Sequence, residues 1–215
     1  MADLSSRRLD EHLVVLHTLR LRGFAEAEVV TELMGLPTEE AGRHLAAAGD
    51  AGLAKRREGR LSGWSLTPEG RAAHAALLAA ELQAAGCRGA IEAAYDRFLE
   101  QNERFKQICT DWQMHTHASE PTINDHSDEA YDRAVVRRLV ALHADADQIT
   151  SRLANLLPRF ARYPARLGAA LARVEAGDRS ALARPLSGSY HDVWMELHQD
   201  LLSTLDRQRS SSDGS

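Results

Sequence analysis

Cysteine is nearly absent from this chain. Cys87 and Cys109 are the only two among 215 residues. They form no C-x-x-C pair and fall in helix-like segments, so they read as buried free thiols in a reducing compartment. Aromatic residues are scarce at 5%, and the 44% apolar share is dominated by alanine and leucine, a mix that favours helix over sheet. No stretch approaches the ~18 apolar residues that a membrane span needs. The opening MADLSSRRLDEH lacks the apolar core of a secretory signal, which points to a cytoplasmic protein. A global basic field is missing too: the formal net charge is -5, so any contact with nucleic acid has to come from a local patch. There is no G-x-S-x-G elbow, no Walker loop and no dinucleotide fingerprint. Neither an enzyme nor a cofactor is expected.

What is present is helical periodicity, in a chain long enough for one large domain or two small ones. Residues 1–86 read as three helices, a hairpin and a fourth helix. LDEHLVVLHTLRLRG spaces Leu9, Leu13, Leu16 and Leu19 as one helical face, with Gly23 at its end. AEAEVVTELMG is a second helix closed by Gly35. TEEAGRHLAAAGD follows, with Thr38 as its expected N-cap, Glu39 and Glu40 in the first turn, and Leu45 and Ala48 inward. AKRREGRLSGWSL then offers two short strands around Gly59 and Gly63. LTPEGR restarts a helix with Thr67 as N-cap and Pro68 at the first helical position, and that helix runs to about Gly86.

The run LMGLPTEEAGRHLAAAGDAGLAKRREGRLSGWSLTPEGR resembles the helix-turn-helix and wing of MarR-type bacterial transcriptional regulators, over roughly residues 10–85. The fold class this implies is mainly α: a winged helix-turn-helix domain of three helices plus a β-hairpin wing, followed by an α-helical bundle domain. The resemblance further implies a homodimer on double-stranded DNA. Thr38, Arg43 and His44 would enter the major groove, and Lys55, Arg56, Arg57 and Arg60 would meet the phosphate backbone. Glu39 and Glu40 depart from a good reader, because they would face phosphates and leave only Arg43 and His44 for base edges. A solvated hairpin in a module that no longer binds DNA is the competing reading.

From Arg88 onward no strand pattern is visible, and residues 87–208 read as a helical bundle. Ile91, Tyr95, Phe98, Phe105, Ile108 and Trp112 mark a first long helix. Val135, Leu139, Leu142, Ile149 and Leu153 mark a second, with Ser127 as expected N-cap and Pro158 beyond its end. Pro164 suits the first turn of a third that Gly177 closes, and Val193 or Trp194, Leu197, Leu201 and Leu205 line the last. Residues 209–215 read as a disordered tail. The segments RFLEQNERFKQICTDWQ, NDHSDEAYDRAVVRRL, RFARYPARLGAAL and SYHDVWMELHQDLLSTL are similar to a helical extension on some actinobacterial pyruvate, phosphate dikinase-like proteins. That resemblance implies a regulatory or interaction module. The dikinase's nucleotide-grasp and phosphohistidine domains have no counterpart here, so no catalytic residue carries over.

The junction DWQMHTHASEPTINDHSD concentrates candidate ligands. His115, His117 and His126 are candidate metal ligands, with Asp125, Asp128 or His143 to complete a set. The bland alternative is a polar connection between helices. A third reading places Trp112, Gln113, Asp125 and His126 around a pocket for a small-molecule effector. Arg159, Arg162 and Arg166, with Tyr163, either grip a phosphate or carboxylate or form a solvated basic face. His191 and His198 flank Trp194 on one helix face and read as packing. Two functions are open at this point. One is a DNA-binding transcriptional regulator with a C-terminal ligand-sensing or dimerisation domain. The other is a non-DNA-binding module that partners a phosphoenolpyruvate- or pyruvate-handling enzyme.

Overall fold

The computed structural model describes residues 11–34, 37–59, 62–117 and 120–208. Arg60, Gly35, Leu9 and the tail 209–215 lie outside the described residues, as does the side chain of His117. The protein is mainly helical, and it divides into two compact units: Met1–Arg88 with Leu202–Arg207, and Gly89–Leu201 with Gln208–Ser215. No helix among the described residues is long and apolar enough to cross a membrane.

The first unit is built from α1 (Glu11–Arg22), α2 (Ala27–Met34), α3 (Thr38–Asp50), β1 (Ala54–Arg57), β2 (Gly63–Leu66) and α4 (Pro68–Ala85). Its core joins Leu16 and Leu19 of α1 to Val30 of α2, Ala41, Leu45 and Ala48 of α3, and Leu66 of β2. Small residues on α3 let that helix lie close to its neighbours. Gly49 is the extreme case: a Cβ there would come 2.5 Å from the Trp64 ring of β2. β1 and β2 pair antiparallel in the register Ala54–Leu66 to Arg57–Gly63. Ala25, between α1 and α2, adds a third extended piece by exchanging two backbone bonds with Trp64, at 3.0 and 2.8 Å.

A cap explains where one of these helices begins. Thr67 accepts from the Gly70 amide at 2.9 Å and donates to the Gly52 carbonyl at 2.7 Å, so one hydroxyl starts α4 and ties it to the turn before β1. Gly70 is required for the same closeness, since a Cβ would stand 1.8 Å from the Leu53 carbonyl oxygen. Gly86, at φ +60°, ends α4. Thr38 is not the cap expected from the sequence. Pro37 holds that position in extended geometry and makes no side-chain cap, and Thr38 is already helical. Its hydroxyl instead accepts from Thr31 at 3.2 Å.

The second unit contains α5 (Arg88–Gln113), which begins at the unit boundary, then β3 (Met114–His117), β4 (Glu120–Ile123) and α6 (Glu129–Leu156). A 3-10 turn over Pro158–Ala161, α7 (Arg162–Glu175), the short α8 (Ser180–Ala183) and α9 (Tyr190–Leu205), whose end from Leu202 is counted with the first unit, complete the sequence of elements. The β3–β4 hairpin corrects the expectation of no strand after Arg88. Four-residue strands with a proline in one of them give no period-2 signal above background. The cap of α6 is also corrected. Asp128, not Ser127, accepts from the Ala130 and Tyr131 amides at 2.9 and 3.0 Å. Ser127 gives its own amide to Asp125, an Asx turn that positions the cap.

Few as they are, the aromatics are concentrated. Phe98 and Phe105 of α5 meet Trp194 of α9 at ring-centroid distances of 4.6 and 4.9 Å, and Tyr190 lies 5.4 Å from Phe105. Each such pair stabilises by about 0.5–1.5 kcal/mol beyond area burial. The buried Trp194 indole donates to Asn102 at 2.8 Å, so its one polar atom is satisfied.

Candidate functional site

In the first unit the basic residues of the hairpin do not share one face of the sheet. Strand alternation puts Lys55 and Arg57 on the sheet face shared with Ser65 and Gly63, and Arg56 on the opposite face with Trp64. Trp64 packs on Gly49, so the Arg56 face is the one turned toward α3. Lys55 and Arg57 line a cleft of about 720 Å³ together with Ser65, Arg71, Phe24, Gly23 and Leu66. Among the described residues no carboxylate lines it. Arg71 donates to the Leu66 carbonyl at 3.2 Å, which points its guanidinium along the sheet. Arg71 and Ser65 were not singled out from the sequence, although Arg71 closes the LTPEGR run that ties α4 to the hairpin.

The expected base readers fare differently from one another. Arg43 is exposed on α3. His44 is part-buried, and its Nε2 lies 3.0 Å from the Glu11 carboxylate of α1. Thr38 is exposed and bonded to Thr31. Glu39, Arg43 and Asp50 are thus the exposed charged residues of α3, an acidic majority. Glu11, Glu40 and His44 also bring one ligand atom each within 4.8 Å of one another.

In the second unit the junction between α5 and α6 is a closed hydrogen-bond knot. Buried Asn124 receives the His126 amide at 3.0 Å, and its own amide nitrogen donates to the Trp112 carbonyl and to Asp132. His126 sits at φ +62°, a left-handed conformation costly for a non-glycine residue. Its Nδ1 lies 3.0 Å from Asp132, its ring rests 4.5 Å from Trp112, and its carbonyl accepts from Arg179 at 3.0 Å. These contacts hold the backbone in place against its strain.

His115 and His126 do not converge. His115 meets Tyr131 edge-on at 4.3 Å, and His126 is committed to Asp132. The metal reading of His115 and His126 therefore has no assembled set among the described side chains. Asp125 is exposed, and hydrogen bonding from Ser127 holds its carboxyl below the usual range. The Tyr131 amide does the same for Asp128. Burial, and then the Asp111 carboxylate, raise the Tyr131 hydroxyl.

Beside this knot is a cavity of about 450 Å³, lined by Trp112, Asp132, the α6 residues Arg133, Val136, Arg137 and Val140, and Val174 and Arg179. Of the four residues expected to line a pocket, Trp112 alone lines this cavity. Gln113 lines a second cavity of about 280 Å³ with Asn102, Cys109 and His191, while Asp125 and His126 line neither. Burial pushes the Cys109 thiol up to about 12, which removes it as a nucleophile at neutral pH.

The arginines of the 3-10 turn and α7 correct the expectation of a solvated basic face. Arg159 is buried and ion-pairs with Asp200, and Arg162 reaches the same carboxylate at 3.3 Å. Arg166 takes Glu196 through two bonds, at 2.7 and 3.0 Å. They do grip carboxylates, but those of their own chain. Asp192 receives the amides of Leu186, Ser187 and Ser189 and so organises the start of α9.

Comparison of the chain with protein-family models, curated proteins and solved structures returned no match.

Proposed function

We propose that the chain is a DNA-binding transcriptional regulator. Its residues 11–85 act as a winged helix-turn-helix, and its helical unit dimerises and senses a small molecule. The observation that supports this best is the acid-free cleft on the hairpin, where Lys55, Arg57 and Arg71 converge beside the Ser65 hydroxyl. Three cations with a hydroxyl and no counter-charge suit a phosphate backbone. The element order, with Ala25 bridged to Trp64 as a third extended piece, is compatible with a wing. Because α3 exposes more acid than base, affinity should rest on phosphate contacts and discriminate weakly between sequences. Fluorescence anisotropy of the full chain with labelled duplex, over a salt series, tests this. Binding that steepens as salt falls supports it, and no duplex retention even at low salt overturns it.

The acidic face of α3 favours a second reading, in which this unit docks a protein rather than DNA. Under the dikinase-like resemblance that partner is a phosphoenolpyruvate- or pyruvate-handling enzyme. Co-purification of such an enzyme, together with absent duplex binding, would select it.

A further inference from the structure

We infer that the 450 Å³ cavity beside the α5–α6 junction is a binding site for a small amphipathic carboxylate, held by Arg137 and Arg179 over an apolar floor. This names the ligand class for the sensing role proposed above and rests on that reading for its purpose, though not for its chemistry.

The floor comes from helical spacing. Val136 and Val140 are four apart on α6, so they sit one above the other, and Val174 and the Trp112 ring close the opposite side. Val140 is 40% exposed, so this floor is open to solvent. The volume lies within the roughly 300–1,000 Å³ of typical small-molecule sites.

The sign of the ligand follows from which lining charges are already committed. Arg133 and Glu129 pair with each other at 2.9 Å, one turn apart on α6. Asp132 is taken by His126 and Asn124. Arg137 makes no ion pair or hydrogen bond among the described residues. Arg179 gives one N–H to a neutral carbonyl, that of His126, and makes no ion pair among the described residues. Glu175 is the one lining acid left over, against two guanidinium groups. The uncommitted balance is therefore cationic, and a guanidinium is the side chain best shaped for a carboxylate. Arg179 also joins the site to the strained His126, so an occupant that draws on Arg179 acts on the junction knot as well.

Isothermal titration of the full chain without DNA tests the assignment, using three probes of one chain length: octanoate, octanol and octylamine. Octanoate is expected to bind most tightly. Arg137→Gln and Arg179→Gln should each weaken it by about three- to tenfold. Arg152→Gln removes an exposed charge elsewhere on α6 and should leave it unchanged, with circular dichroism confirming the fold of each variant. The assignment is overturned if octanoate does not bind, if octanol or octylamine binds as well, or if Arg152→Gln weakens binding as much as the pocket variants. Failure here with duplex binding intact removes the ligand class alone, and octanoate binding without duplex binding removes the DNA reading alone.

Discussion

Asp200 of α9 accepts a hydrogen bond from the Tyr163 hydroxyl of α7 at 2.8 Å, and both side chains are wholly buried. Arg159 and Arg162 converge on the same carboxylate, so one acid anchors the 3-10 turn and α7 to α9. Asp200→Ala strips the buried Arg159 of that carboxylate and should destabilise the protein by about 3–5 kcal/mol, read as a lower urea midpoint. Replacing the pair together, Arg159→Met with Asp200→Leu, should recover part of the loss, because Tyr163 and Arg162 still lose their bonds to Asp200. No recovery at all would show that Arg159 does not depend on that acid alone.

Two glycine substitutions should act in opposite directions. Gly70→Ala forces a methyl against the Leu53 carbonyl and should abolish folding of the first unit, seen as lost helical signal and poor solubility. Gly42→Ala meets nothing within 4 Å in the middle of α3 and should stabilise by about 0.5–1 kcal/mol. A neutral Gly70→Ala would show that α4 can shift away from the turn.

Acid should weaken the second unit through His191. Burial lowers its pKa in the folded state below the ordinary value of 6.5. The unfolded chain therefore binds a proton first, and stability is complete above that value. It is lost as pH falls through the ordinary value toward the folded one. The slope of thermal midpoint against pH between about 7 and 5 should flatten in His191→Phe. An unchanged slope would assign the acid sensitivity to another group.

The hairpin faces can be separated by salt. If the cleft of Lys55, Arg57 and Arg71 contacts phosphates, Arg57→Ala should lower duplex affinity and reduce the slope of log K against log salt by about 1. Arg56→Ala, on the face with Trp64, should change the slope less. Equal losses from both would mean that the strand alternation does not organise the contact.

Helix positions were legible wherever apolar residues recurred three or four apart. Val135, Leu139, Leu142, Ile149 and Leu153 are buried on α6 as their spacing requires, and Leu13, Leu16 and Leu19 are buried on α1. Thr67, Pro68 and Gly86 are where local stereochemistry puts them, because a cap depends only on its neighbouring residues. The candidate site was less legible. Trp112 was found because it ends a periodic helix, but Arg137 and Arg179 come from α6 and from a loop more than forty positions on, and no short-range pattern joins them.

Arg159 and His44 mark the limit of the sequence. Charge and spacing alone made both look like surface groups. Only the packing of α7 against α9 took Arg159 out of water, and only the approach of α1 to α3 set Glu11 beside His44. By itself the sequence determined the helices, the cap of α4 and the sign of each charge, since these follow from near-neighbour sterics and titration. The tertiary structure decided which charges are already answered by a partner, because pairing depends on distances between segments remote in the chain.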